Sequence, residues 1–282
     1  MAYSKSQAMQ RTKQGLDVDR KDFFYHLLQA RDPETGAGFS MDELWGESNL
    51  LIIAGSDTTS TAIAATFFYL SRNPEALKKV QQEVRSVFKD EEEIVMGKEL
   101  SGCTYLRAVI DEAMRLTPPV AGFLPREVLP GGIDIDGVHY PAGTVLGVTH
   151  YAIHRNEAYF PNPQAFIPER WLASADQNPF FEKLDLAHSA FCPFSIGPRG
   201  CIGKGLAYVE LGIAVARVVW GFEMKMVDGE KGRLGEGTGV EGQGKWLGRS
   251  RKTEFQIEDR FASCKDGPIL RFRRREDLLE KS

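Results

Sequence analysis

Cysteine is scarce in this chain, with four among 282 residues, at Cys103, Cys192, Cys201 and Cys264. So few and so scattered, they exclude the disulfide framework of a small secreted domain and fit a reducing compartment. A charge excess of one sign is missing too. Lys and Arg number 35 against 39 Asp and Glu, a formal net charge of −4, so no global field favours nucleic acid and no such partner is expected. The residues up to Lys21 hold no apolar run of the kind that a signal peptide or membrane anchor needs. The most apolar stretch, Asn49 to Leu70, is broken by Gly55, Ser56, Asp57, Thr58, Thr59 and Ser60; it reads as a buried helix of a soluble chain, not as a lipid-spanning one. The five histidines show no metal-ligand spacing.

Core-forming residues, by contrast, are plentiful. Hydrophobic residues make up 42% of the chain, enough for one large domain over 1–282. Ser40 and Glu43 stand at capping-box spacing before the apolar stretch, which predicts a long helix from Ser40 to about Arg72. Asn73 and Pro74 then start a second helix, with Leu77, Val80, Val84, Val87 and Phe88 on one face. A third runs from about Tyr105 to Leu116 and is stopped by Pro118 and Pro119. Ile133 and Ile135, the turn Asp136-Gly137, and Val138 and Tyr140 form a hairpin. A Pro-rich loop fills 161–171, and a last strong helix spans about Gly203 to Trp220. The glycine-rich stretch from Gly229 to Gly248 reads as a mobile surface loop. Phe255 and Ile257, Asp266-Gly267, and Ile269 to Phe272 read as a closing hairpin.

Chemistry concentrates at Phe194-Ser195-Ile196-Gly197-Pro198-Arg199-Gly200-Cys201-Ile202-Gly203, which sets one thiol in a glycine-rich loop directly before a helix start. Backbone N–H groups and the positive helix end favour an anionic sulfur there, and glycines let the backbone approach a flat ligand closely. For Cys103, Cys192 and Cys264 an ordinary structural role is the better reading. Two nucleotide-binding look-alikes fail on context. Gly197 to Gly205 has the wrong spacing for a phosphate loop, and Gly237 to Gly242 follows no strand.

This cysteine loop resembles the haem-binding loop of the cytochrome P450 family, Phe-x-x-Gly-x-Arg-x-Cys-x-Gly, with every named position filled. Three further segments resemble the family in its order. Ala54-Gly55-Ser56-Asp57-Thr58-Thr59 is similar to its oxygen-binding motif, Glu112-Ala113-Met114-Arg115 to its helical Glu-x-x-Arg, and Phe166-Ile167-Pro168-Glu169-Arg170-Trp171 to its Pro-Glu-Arg segment. The resemblance covers nearly the whole chain and implies a mainly α fold with small β-sheets, the cytochrome P450 fold truncated at its amino-terminal side. It also implies haem b (iron protoporphyrin IX) as cofactor, with Cys201 as the metal ligand. Phe194, Gly197, Arg199 and Gly203 in the loop, with Gly55 and Arg126, would contact the cofactor, the two arginines through its propionates. Asp57 and Thr58 would be catalytic, delivering protons. Glu112, Arg115 and Arg170 would form a structural triad, and Val120, Ala121, Phe123 and Phe261 would line a pocket for a hydrophobic substrate.

The activity so implied is insertion of one oxygen atom of O2 into a hydrophobic organic molecule. Similarity to fungal microsomal members implies electrons from NADPH through a membrane-bound NADPH–cytochrome reductase, a monomer, secondary metabolism, and an endoplasmic reticulum membrane location; a chain without an anchor would otherwise be cytoplasmic. The family's amino-terminal half, with its anchor and distal lid helices, has no counterpart here, so a second reading stands beside the first. It is a truncated, non-catalytic haem-binding remnant or an incomplete gene model. A peroxide-rearranging member is a third reading, against which the Asp57-Thr58 pair counts.

Overall fold

Ser40 and Glu43 cap each other in the computed structural model. The Ser40 N–H donates to Glu43 Oε2 at 2.8 Å and the Glu43 N–H to Ser40 Oγ at 3.3 Å, so two otherwise unpaired donors at the helix start are satisfied. The structure describes residues 2–15, 19, 21–240 and 250–275. Its helices are α1 (Ala2–Gln14), α2 (Phe23–Gln29), α3 (Met41–Arg72), α4 (Pro74–Val87), α5 (Lys98–Ser101), α6 (Thr104–Leu116), α7 (His150–Ile153), α8 (Leu184–Ala190) and α9 (Lys204–Gly221). The strands are short: β1 (Arg126–Glu127), β2 (Ile133–Ile135), β3 (Val138–Tyr140), β4 (Val145–Leu146), β5 (Phe222–Met226), β6 (Ile257–Glu258), β7 (Cys264–Lys265) and β8 (Leu270–Arg274). They pair antiparallel as β1 with β4, β2 with β3, β5 with β8, and β6 with β7. The architecture is therefore mainly α with small sheets.

Contacts divide the chain into two compact units, Met1–Asp57 and Thr58–Ser282. In the first, Arg11 pairs with Asp22 at 3.1 Å, and the same carboxylate caps α2 by accepting the Tyr25 N–H at 2.9 Å. Residues 52–57 of α3 are exposed, contrary to the expectation of a buried helix. Leu44 and Ser48 nearer the start of α3 are buried, and after the exposed stretch burial resumes at Thr61, where Ala113, Leu116 and Phe255 pack against Ala65, Phe68 and Tyr69 of the second half.

In the second unit the apolar faces of three helices make the main core. Leu77, Val80 and Val84 of α4 meet Leu106, Val109, Ile110 and Met114 of α6 and Leu211, Val215 and Val219 of α9. Val87 does not join them and is 41% exposed, since the buried face recurs at 77, 80, 84 and 88 and leaves 87 to one side. Asn73 is the N-cap residue of α4, which starts on Pro74, and its carbonyl accepts the Leu77 N–H at 3.0 Å; its side chain turns the other way and closes α3, Nδ2 donating to the Tyr69 carbonyl at 2.7 Å. Asp136 and Gly137 have φ of 49° and 78°, the pair of positive values that a two-residue hairpin turn between β2 and β3 demands.

Two expectations near the carboxy terminus are overturned. Asp266-Gly267 is not the turn of a closing hairpin; β6 pairs with β7, and β8 pairs instead with β5. The cause is aromatic packing, since Phe272 on β8 sets its ring edge-to-face against Phe67 and Phe222, with centroids 6.4 and 6.1 Å apart. The stretch from Gly229 was expected to be loose, yet Arg72 at the end of α3 donates to the Gly232 carbonyl at 3.0 Å and pairs with Glu236 at 2.9 Å. A short 3-10 turn, Glu230–Arg233, forms there. Residues 241–248 of that stretch lie outside the described residues.

Candidate functional site

Cys201 is presented by a loop tied to itself. The Cys201 N–H donates to the Phe194 carbonyl at 2.8 Å, the Gly200 N–H to the Gly197 carbonyl at 2.9 Å, and the Ser195 N–H to the Cys192 carbonyl at 2.9 Å. Gly197 has a φ of +72°, a left-handed turn that glycine makes without strain, and α9 begins three residues beyond the thiol. The thiol itself is exposed.

Around it lies an open, apolar surface. Ile202 is 94% and Ile196 75% exposed, and Leu206 on the first turn of α9 is exposed as well. A Cβ added at Gly197 or Gly205 would meet nothing within 4 Å. Arg199 projects from the same loop, exposed and without an ion pair among the described residues. One soft donor, bare glycines, exposed aliphatic side chains and an uncommitted guanidinium are a donor set that fits a flat apolar macrocycle carrying a thiolate-ligated metal and acidic substituents. Haem is such a group.

Behind α6 the predicted triad is assembled and fully buried. Glu112 receives five hydrogen bonds: from Arg115 Nε and Nη2, both at 2.9 Å, Arg170 Nε at 3.1 Å, the Ile167 N–H at 2.9 Å, and the indole N–H of Trp171 at 3.0 Å. Burial alone would raise the Glu112 carboxyl, but Arg115 and Arg170 hold it below the usual carboxylate range. Arg115 also donates to the carbonyls of His154 and Pro163 at 2.8 Å, so the triad fastens the 154–171 segment to α6. Trp171 was not singled out from the sequence, although it directly follows Arg170 in the segment that was.

The remaining site residues fall in three places. Val120, Ala121 and Phe123 follow α6, and the β6–β7 hairpin bearing Phe261 packs beside them. The Ser263 N–H donates to the Pro119 carbonyl at 2.8 Å, Thr61 Oγ1 donates to the Ser263 carbonyl at 3.2 Å, and Asp259 lies against Gly122. Phe123 and Phe261 are exposed, whereas Ala121 is buried. Arg126 on β1 is exposed, and among the described residues its side chain donates only to its neighbour's carbonyl, Pro125, at 2.8 Å. Gly55 and Asp57 lie on the exposed part of α3 in the first unit, and Thr58, half-buried, opens the second.

The cytochrome P450 family model matches residues 3–240, and the chain belongs to that family. Membership implies a haem iron cofactor. The chain is 47% identical over 277 residues to cytochrome P450 monooxygenase apf7 of Gibberella fujikuroi, covering 97% of this chain and 49% of that protein. It is 44% identical over 263 residues to a cytochrome P450 monooxygenase of Gibberella zeae, covering 93% of this chain and 58% of the relative. It thus spans about half the length of these curated relatives. The crystal structure of cytochrome P450 CYP102L1 superposes with a TM-score of 0.73 at 24% identity, and retinoic acid-bound cyanobacterial CYP120A1 with 0.75 at 23%; each match covers 97% of this chain and 55% of the other, and shows the shared fold.

Proposed function

We propose that this chain is the haem-binding part of a haem-thiolate monooxygenase acting on a hydrophobic organic substrate, over 1–282 as one functional domain. The single observation that carries the proposal is the exposed Cys201 thiol, on a residue whose backbone N–H donates to the Phe194 carbonyl just ahead of α9, on a glycine-lined, apolar surface. Bound there, haem b supplies the redox iron that activates dioxygen, so that one oxygen atom enters the substrate and the other leaves as water. Cys201 would supply the thiolate sulfur that holds the iron. Arg199 and Arg126 would pair with the propionates, and Phe194, Gly197 and Gly203 would leave room for the macrocycle; Gly55 is assigned the same role by the resemblance alone. Asp57 and Thr58, adjacent on α3, hold and pass protons. Val120, Ala121, Phe123 and Phe261 offer the substrate an apolar wall.

Electrons are proposed to come from NADPH through a membrane-bound cytochrome reductase, with the protein a monomer of secondary metabolism at the endoplasmic reticulum. By length and apolar composition alone α3 is able to cross a membrane, but its second half is buried against α6 and Phe255, which supports a core role. A second reading is haem binding without turnover, since the chain spans about half the length of its curated relatives.

The purified chain is loaded with haem, reduced and exposed to carbon monoxide. A thiolate-type Soret band that vanishes in Cys201→Ala supports the assignment, and an unchanged spectrum in that variant overturns it. NADPH, reductase and trial substrates are then added. Turnover supports the monooxygenase; haem binding without turnover supports the second reading.

A further inference from the structure

The backbone that holds Cys201 is itself held from behind. Phe194, whose carbonyl accepts the Cys201 N–H at 2.8 Å, rests its ring against Tyr208 with centroids 5.0 Å apart. Tyr208 stands on the second turn of α9, and its hydroxyl donates to Asp111 Oδ1 on α6 at 2.8 Å. The other carboxylate oxygen, Asp111 Oδ2, accepts from Arg107 Nε at 2.8 Å, and the Arg107 guanidinium carbon lies 3.4 Å from the centroid of the Tyr208 ring. The phenol is therefore fixed by three contacts, one each from its hydroxyl, its ring and a stacked cation.

This arrangement is costly as mere filling. Asp111 is 6% exposed, and burial raises its carboxyl above the usual range against the opposing pull of Arg107 and Tyr208. An apolar pair of similar volume would close the gap between α6 and α9 without desolvating a carboxylate. What an apolar pair would not do is orient the ring against which Phe194 rests.

We infer that Tyr208 and Asp111 are positioning residues for Cys201, acting through Phe194 to hold the thiol-bearing loop at a fixed place ahead of α9. The inference deepens the haem-thiolate reading and rests on it for its purpose, though not for its geometry. A small displacement of Phe194 moves the amide of Cys201 with it, and a metal-ligating side chain tolerates little misplacement.

The test uses the full chain in four forms: wild type, Tyr208→Leu, Tyr208→Phe and Asp111→Asn. Tyr208→Phe keeps the ring on Phe194 and loses the bond to Asp111; Asp111→Asn keeps an acceptor and loses the charge. Amide hydrogen exchange at Cys201 is followed without haem, with the buried α4 amides of Val80 and Val84 as internal reference. Exchange at Cys201 is expected to rise by about tenfold or more in Tyr208→Leu and by about threefold in the two conservative variants, with the reference amides changed less than about twofold. After haem loading, the fraction showing the thiolate-type Soret band falls below about half in Tyr208→Leu and is largely restored in Tyr208→Phe. Exchange within about twofold of wild type in all three variants overturns the inference, as does a uniform rise that includes the reference amides. Should Tyr208→Leu not fold, the two conservative variants carry the same comparison. Faster exchange at Cys201 together with a wild type that forms no thiolate band leaves the positioning role standing and removes the haem-ligand reading instead.

Discussion

The Cys192 N–H donates to Nε2 of His154 at 3.0 Å, which places the imidazole's remaining proton on Nδ1, an atom with no hydrogen-bond partner among the described residues in a fully buried side chain. Burial, with His150, Arg115 and Arg155 nearby, pushes the His154 pKa from 6.5 down to about 3.

The unfolded chain therefore takes up a proton at this residue below its ordinary pKa of 6.5, while the folded chain does not until about 3. Stability contributed by the neutral ring is fully present above 6.5 and is lost progressively as pH falls towards 3. Urea unfolding at neutral pH and at about pH 5 is expected to differ by about 2 kcal/mol from this group. His154→Gln keeps an acceptor for Cys192 and should flatten that slope; an equal slope in both proteins contradicts the assignment.

Removing the thiol should leave the fold alone. Cys201 is exposed, and its loop is closed by its backbone, so Cys201→Ala is expected to change unfolding free energy by no more than about 0.5 kcal/mol. A much larger loss by chemical denaturation would mean that the side chain has a structural role.

Glu112→Gln leaves two buried guanidiniums, Arg115 and Arg170, without their counter-charge. Breaking a buried ion pair from one side costs about 3–5 kcal/mol, enough to unfold a domain of ordinary stability. Trp171→Phe removes one of the five donors and should cost about 1 kcal/mol. Comparable unfolding midpoints for the two variants would refute this ranking.

At Gly197 the obstacle is conformational and not steric, because φ is +72° while a Cβ would meet nothing within 4 Å. Gly197→Ala is expected to cost about 1–2 kcal/mol, through the left-handed backbone. Calorimetric melting should fall accordingly, and a variant as stable as the parent would show that the turn is relaxed by other means.

The parts legible in the sequence are those whose signal is local. The Ser40–Glu43 capping box spans four positions and the cysteine loop ten, so both were readable, as was the Asp136-Gly137 turn. Glu112 and Arg115 alone were ambiguous, since helical pairs at that spacing are common on surfaces; only the resemblance joined Arg170 to them. Partners far apart left no trace. Tyr208 lies 97 positions from Asp111, and β8 pairs with β5 across the whole of 227–269. The exposure of 52–57 was hidden as well, because an apolar run reveals the wish to be covered and not whether a cover is at hand.

Asp111 and Glu112 are consecutive on α6, and side chains of consecutive helical residues diverge by about 100° around the axis. One carboxylate reaches across to Tyr208 on α9 and the other to Arg170 and Trp171, so the cylinder is bolted on two flanks at the same height. It can neither roll nor slip by one position without offering a short acid to a socket shaped for a long one. That makes α6 the fixed post of the second unit, against which the thiol loop and the 154–171 segment both take their bearings.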